Sequence, residues 1–294
     1  MIAQDDFDFL AQLLKRRSGL VLGTEKGYLV ESRLKSVIDA FSTRDIAGIV
    51  ARLRTGDERL AVAVTEVMTT NESFFFRDGT PFTLFKDTML PAMMAARAET
   101  RSLSVWCTAA STGQEPYSLA MLLKESALLL KDWRVQILGT DISKDVLARA
   151  EAGLYSQFEV QRGLPVQFLI KYFTKIDSQW RIKDEIRAMV QYRRLNLLDS
   201  YLGMGPFDVV YCRNVLIYFE EATKRQVLER IAALMHDDSF LVLGAAESVF
   251  GVTDAFAPVE GARGLYRRRP RAGAAKDIDS RRLDGPRYGR VAAK

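Results

Sequence analysis

Residues 103–121 leave a chain few ways to fold. A short apolar run (Leu103 to Trp106) passes into small residues, then Gly113, then a helix opened by Pro116 with Leu119, Leu122 and Leu123 as its apolar positions. That order spells a strand, a tight loop and a helix N-terminus, which binds nucleotide-like ligands at the carboxyl edge of a parallel sheet. The loop lacks both the G-x-G-x-x-G pyrophosphate cradle and the G-x-x-x-x-G-K-[ST] phosphate loop. It also carries Glu115 where a phosphate binder needs bare N–H groups. A cofactor with a cationic or neutral head suits it better, and S-adenosylmethionine, with ammonium and sulfonium charges, leads the candidates.

A second strand follows, with Val135, Ile137 and Leu138 as its apolar positions, and ends in Gly139-Thr140-Asp141-Ile142-Ser143. An acid at the end of the second strand, about 20 or more residues past the glycine loop, is placed to accept both ribose hydroxyls. Asp141 fits that role. The competing reading is that Asp141 or Ser143 caps the helix expected at 144–152.

With 294 residues the chain can hold one large domain or two modest ones. No stretch is long enough to span a bilayer and the acidic N-terminus has no apolar signal core, so a cytoplasmic protein without membrane insertion is expected. Cys107 and Cys212 sit in apolar strand-like segments and read as buried free thiols in a reducing compartment. The single histidine, His236, lies in a polar stretch, so neither a catalytic thiol nor a metal site is expected. From Arg267 onward ten Lys/Arg face three Asp, a local +7 within a total of +5, which leaves −2 for the rest. The basic end, rich in Gly, Ala and Pro, reads as a disordered tail: a solubilising segment, or an arm for an acidic partner.

Residues 1–60 show helical spacing, through Phe7, Leu10, Leu13 and Leu14, then Leu29, Leu34, Val37 and Ile38, then Ile46, Ile49, Val50 and Leu53. This predicts a small helical bundle with another helix at 60–68. Its ten basic and nine acidic residues imply no polyanion-binding face. From about residue 80 the pattern is α/β: helix 82–98, strand 103–107, helix 116–130, strand 134–139 and helix 144–152. Less regular chain covers 153–190, then strands at 189–193 and 207–212, helix 221–234, strand 240–243, and a last strand at 259 and 264–267. Alternating strands and helices predict a parallel, doubly wound sheet. Two further site candidates emerge at strand ends. Asn196 beside Leu197 suits adenine, or is a plain turn; Arg213-Asn214 reaches the ligand, or Arg213 pairs with a rim acid. Tyr218 and Phe219 are either core or close to the reacting group.

Four motifs in combination resemble the CheR-type chemotaxis receptor methyltransferases: Thr70-Asn71-Glu72-Ser73 with Phe75-Phe76-Arg77-Asp78, Ser111 to Ser118, Thr140 to Ser143, and Cys212 to Phe219. The resemblance covers roughly 5–267. It implies an N-terminal helical domain (1–68), a linker contributing to the active site (69–80), and a class I, Rossmann-like methyltransferase domain (81–267) with a small β-subdomain within 153–190. The basic tail (268–294) stays outside it. Carried over by position, the cofactor residues are Asn71, Ser73, Arg77, Glu115, Asp141, Asn196, Leu197, Arg213 and Asn214, with Arg77 and Tyr218 as catalytic residues and no metal. Ser73 replaces the family's more usual threonine, and Gln114 replaces the first of two adjacent glutamates.

The implied reaction moves a methyl group from S-adenosylmethionine to a glutamate on the cytoplasmic domain of a chemoreceptor, leaving a γ-methyl ester and S-adenosylhomocysteine. A glutamate is ionised at neutral pH and needs no general base, which suits a chain without a catalytic histidine. One rival is a nucleic-acid methyltransferase using the basic tail, although Arg213-Asn214-Val215-Leu216 stands where base amino-methylases carry Asn-Pro-Pro-aromatic. Another is a non-catalytic module that binds S-adenosylmethionine and signals through its helices.

Overall fold

The computed structural model describes residues 2–270. Four helices open the chain: α1 Gln4–Ser18, α2 Gly27–Ala40, α3 Ile46–Arg54 and α4 Glu58–Met68. Each places apolar residues three and four apart on one face, and these faces meet in one cluster that includes Leu10, Leu14, Val30, Leu34, Ile49, Leu60 and Val64. Asp45 and Asp57 cap α3 and α4 by accepting the N–H of Gly48 and Leu60. α1 ends on Gly19 in the left-handed region (φ 76°), after basic residues in its last turn that suit the helix dipole.

The second body follows. α5 Thr80–Leu84 and α6 Leu90–Ala96 are joined by a π-helical turn, Phe85–Met89, so one helical run replaces the expected helix 82–98. Strands β1 Ser102–Cys107 and β2 Arg134–Asp141 flank α7 Gln114–Glu125, and α8 Lys144–Ala152 follows β2. The stretch expected to be irregular holds β3 Leu154–Ser156, α9 Gln157–Gln161, α10 Val166–Tyr172, β4 Phe173–Ile176, β5 Gln179–Ile182 and α11 Asp184–Arg187. The chain then forms β6 Val190–Arg194, β7 Phe207–Cys212, α12 Glu221–Ala233, β8 Met235–Leu243, β9 Phe256–Pro258 and β10 Leu265–Arg268.

The main sheet has the order β6-β2-β1-β7-β8-β10-β9, and the three short strands form a separate antiparallel sheet, β3-β5-β4. β6, β2, β1, β7 and β8 run parallel, while β10 is antiparallel to β8 and β9. Both faces are covered, and side chains alternate between them as strand geometry requires. Val105, Val209, Tyr211 and Phe240 enter one core, and Trp106, Val210, Cys212 and Leu241 the other. The chain winds outward from β1 to β2 and β6 on one side, and through β7 and β8 on the other. The order therefore reverses between β1 and β7, and a ligand crevice forms outside their carboxyl ends.

Several elements differ in extent from expectation. α7 stops at Glu125 rather than 130, with residues 126–130 in turns. β8 begins at Met235, five residues before the apolar run: Met235 pairs with Phe207 of β7, and the acids that follow it are engaged, Asp237 by Arg268 at 2.7 Å and Asp238 by Arg97 at 2.6 Å. Arg97 also bonds Asp208 at 2.8 Å. The final strand includes Arg268, a buried side chain paired with Asp237 at 2.7 Å, so this arginine belongs to the sheet. The expected tail beyond Pro270 lies outside the described residues. Cys107 and Cys212 are buried free thiols.

Asp208 is almost fully buried at the amino end of β7, where it also accepts the Ser104 N–H at 2.8 Å. Replacing Arg97 by alanine strands this carboxylate, and should lower unfolding free energy by about 3–5 kcal/mol in urea titrations. A loss under about 1 kcal/mol would show that the network is not stabilising in this way.

Candidate functional site

The loop after β1 is held by its neighbours: the Thr108 N–H donates to the Tyr211 carbonyl at 2.9 Å, and the Ala110 N–H to the Thr140 carbonyl at 2.8 Å. Gly113 then turns the chain at φ 93°, where an added Cβ would come within 2.7 Å of the Tyr192 hydroxyl. α7 thus starts two residues before Pro116, and Glu115 lies in its first turn, where the helix dipole favours a carboxylate. Glu115 is buried and accepts Arg213 Nη1 at 2.7 Å. Arg213 Nη2 reaches Asp78 at 2.6 Å and the Arg77 carbonyl at 2.9 Å. Burial raises the Glu115 pKa, and the Arg213 charge offsets only part of that rise. Burial opposes the Arg213 charge, yet Glu115 and Asp78 outweigh it and hold its pKa above the ordinary arginine value.

Asp141 ends β2, buried, and accepts the Ser111 N–H at 2.9 Å and the Ser143 N–H at 3.1 Å. Burial raises its pKa, with these backbone bonds pulling the other way. Each oxygen has one of these partners and room for another. Ser143 occupies the N-cap position of α8 without a side-chain cap bond; the Lys144 N–H instead donates to Glu66 of α4 at 3.3 Å. The helical body thus supplies the cap, and Asp141 faces the crevice.

That crevice, about 940 Å³ of open space, is lined by all ten sequence-predicted residues: Asn71, Ser73, Arg77, Glu115, Asp141, Asn196, Leu197, Arg213, Asn214 and Tyr218. Asn196 differs from expectation. Its amide nitrogen donates to the Arg17 carbonyl at 2.5 Å and its oxygen accepts the Leu198 N–H at 3.1 Å, so both ends are engaged and it is a turn residue as well as a wall. Arg213 is not a rim residue paired with one acid but a buried bridge between two. The segment 69–79 covers the crevice, tied down by Ser111 Oγ on the Asn71 carbonyl (2.9 Å) and by the Phe76 N–H on Ser118 Oγ (3.0 Å). Arg77 donates to the Glu72 carbonyl at 2.8 Å. The Phe74 ring has the Arg77 guanidinium at 5.4 Å and that of Arg162 at 4.3 Å. Arg162 belongs to the small-sheet region and also pairs with Glu72 at 2.6 Å.

Sequence reasoning missed Ser18 and Leu20, which line the crevice from the end of α1, and the bridging role of Asp78. Asp78 stood inside a quoted motif, but nothing local ties it to Arg213. For Ser18 and Leu20 the sequence carries no signal, since only the packing of the helical body on the strand ends brings them in. There the Val21 N–H bonds the Tyr218 carbonyl at 2.9 Å and Lys15 pairs with Glu220 at 2.8 Å.

A buried carboxylate in the first turn of α7, another at the end of β2, a glycine turn without a phosphate cradle, and a doubly wound sheet are the features of an S-adenosylmethionine-dependent methyltransferase. Residues 71–265 match the SAM-binding domain of the CheR methyltransferases, and residues 5–69 match the all-alpha domain of the same family. The chain belongs to the CheR methyltransferase family. It is 39% identical over 270 residues to chemotaxis protein methyltransferase 1 of Pseudomonas aeruginosa, covering 90% of this chain and 98% of that protein. It is 38% identical to chemotaxis protein methyltransferase 1 of Vibrio cholerae (87% and 93% covered), and 33% identical to the chemotaxis protein methyltransferase of Escherichia coli (82% and 84% covered).

The buried pair yields a pH test. Replacing Arg213 by methionine leaves Glu115 buried without its cation, which raises its pKa further. A carboxyl whose folded pKa is raised stabilises most below its unfolded value and loses that contribution as pH rises through the folded one. The Arg213→Met deficit should therefore be small near pH 4.5 and grow to roughly 3 kcal/mol by pH 7 in denaturant titrations. A pH-independent deficit would show that Glu115 does not depend on Arg213 for its charge.

Proposed function

We propose that this methyltransferase esterifies glutamate side chains on the cytoplasmic domain of methyl-accepting chemoreceptors, working in the cytoplasm, with residues 69–80 as the linker that contributes to its active site. The observation carrying this reading is the meeting, in one crevice, of a cation-seeking pair of carboxylates with an arginine at the wall. Glu115 would hold the cofactor's α-ammonium and Asp141 its ribose hydroxyls. Leu197 and the face of Asn196 would flank the adenine, with Asn71, Ser73 and Asn214 completing the wall. Arg213 keeps Glu115 oriented. The named activity of the relatives supports the receptor as acceptor.

When bound, S-adenosylmethionine supplies an electrophilic methyl on a sulfonium. The protein's task is then placement: an acceptor carboxylate must lie in line with that methyl, in a site partly stripped of water. Arg77 would orient the acceptor carboxylate, and Tyr218 would fix it by a hydrogen bond. No proton needs to be removed from an ionised glutamate. His236 sits near the amino end of β8, at the opposite edge of the sheet from the crevice.

Asp141→Ala should weaken S-adenosylmethionine binding by about 2–4 kcal/mol, since charge-assisted bonds to two hydroxyls are lost. Calorimetry showing unchanged affinity in a folded variant would reduce Asp141 to a structural role.

Methyl label transferred to receptor fragments should be released as methanol by mild base, as an ester is, whereas methylated amines and nucleobases survive. Arg77→Ala and Tyr218→Phe should cut that transfer at least about tenfold, with melting temperature shifted by no more than a few degrees. Of the basic residues expected to dock the acidic helix presenting the acceptor, Lys15, Arg17 and Arg33 are engaged by Glu220, Glu58 and the Met68 and Thr69 carbonyls, so Arg16 and Lys35 would carry most of that docking. The rate should then fall as ionic strength rises from about 0.05 to 0.5 M. Base-stable label would exclude the ester, and a salt-independent rate would exclude electrostatic docking alone.

A further inference from the structure

Glu247 follows β8 by four residues and lies outside every motif used so far, yet its carboxylate is buried and saturated with main-chain donors. Oε2 accepts the N–H of Gly244 at 2.7 Å and of Asn214 at 2.8 Å. Oε1 accepts those of Val215 at 2.9 Å, Leu216 at 2.7 Å and Ile217 at 3.3 Å. The donors of residues 214–217 fill the interval between Arg213 and Tyr218.

Leu216 anchors this interval in the core, with Val215 and Tyr218 packed against it, but the main-chain N–H groups of 214–217 have Glu247 as their acceptor. Asn214 takes the left-handed conformation, φ 58°, directly after β7. A 3₁₀ turn, Leu216–Tyr218, follows, and the first N–H groups of such a turn have no partner within it. A carboxylate from another segment supplies those acceptors, with charge-assisted bonds stronger than neutral ones. Gly244 gives a second, independent sign of the same fit. A Cβ there would stand 2.7 Å from Glu247 Oε2, 2.9 Å from Asn214 Nδ2 and 3.1 Å from the Asn214 backbone nitrogen, so a side chain at 244 presses on the carboxylate and on the loop it holds.

We propose that Glu247 is a positioning residue for methyl transfer, clamping residues 214–217 so that Arg213 holds Glu115 toward the cofactor, Asn214 meets the cofactor and Tyr218 meets the acceptor. What is positioned rests on the methyl-transfer reading above; the clamp itself rests on geometry. Glu247 touches neither cofactor nor acceptor in this scheme and acts through the loop. Gly244 and Glu247 form one device, spaced three residues apart in the loop that follows β8, the strand next to β7.

The test uses the full chain carrying Glu247→Gln, which keeps the side-chain volume but puts an NH₂ donor against N–H donors, and Gly244→Ala, which disturbs the fit without changing charge. In each folded variant, amide exchange at residues 214–217 should speed up at least about tenfold without added ligand, while amides of β1 stay protected. Calorimetric Kd for S-adenosylhomocysteine should rise about tenfold or more, and kcat should fall while KM for the receptor fragment stays within about twofold. If both variants bind S-adenosylhomocysteine like the parent and merely melt earlier, the proposal is wrong. Should Glu247→Gln not fold, Gly244→Ala decides alone. A parent protein that itself fails to bind S-adenosylhomocysteine would overturn the methyl-transfer reading and not the clamp, which the exchange data judge separately.

Discussion

Three remote pieces of chain meet at one guanidinium. Arg213, at the end of β7, bonds Glu115 in the first turn of α7 and Asp78 beside the crevice-covering segment, at 2.7 and 2.6 Å. Burying such charges costs desolvation that the attraction between them only partly returns, so a buried ion pair is weak evidence for stability. Its effect here is geometric. The switch point between β1 and β7 opens a crevice, and the pair settles how the covering segment lies across it. Phe75, buried in the core, and the Glu72–Arg162 pair anchor the middle of the segment, and Arg213 fixes its far end at Asp78.

The alternation of the sheet was legible because its physics is local. β7 reads as an apolar run broken only by Asp208, and all six of its residues are buried, as a central parallel strand covered on both faces demands. Elements governed by distant partners were not legible. The early start of β8 lies in its pairing with β7 and in Arg97, whose bond to Asp238 spans 141 residues, and no window over Asp237 and Asp238 suggests a strand. The small sheet of β3, β5 and β4 lies within 153–190, where the resemblance implied a β-subdomain, but periodicity alone did not mark its strands. Its strands are three or four residues long, below the length at which alternation separates from noise.

The crevice divides along the same line. Glu115 and Asp141 announce themselves because a strand, a turn and a helix start specify where an acid must point. Glu66, which receives the first N–H of α8 from 78 residues away, and Asp78, 135 residues from Arg213, carry no such local mark. Asn196 shows the converse. An amide at a strand end suggested a polar edge for adenine; one N–H of that amide is engaged by the Arg17 carbonyl, so the side chain also fastens the helical body to the sheet. Sequence adjacency placed it correctly and misjudged its bonds.

Two arginines at the crevice illustrate how equal charges take unequal tasks. Arg213 is saturated by two carboxylates, and a cation so paired has little attraction left for a third. Among the described residues Arg77 forms no ion pair; it is held by a carbonyl and by the face of Phe74, with the guanidinium of Arg162 also over that ring. Cation–π contacts orient a guanidinium while leaving its charge uncompensated. The two are coupled, since Arg213 Nη2 donates to the backbone carbonyl of Arg77 at 2.9 Å. The neutralised arginine therefore fixes the main chain from which the uncompensated one projects. For the proposed transfer to a glutamate carboxylate, with Arg77 in the role proposed for it, this division is apt. A fully paired arginine at the Arg77 position would not draw the acceptor in, and a loosely held one would not aim it.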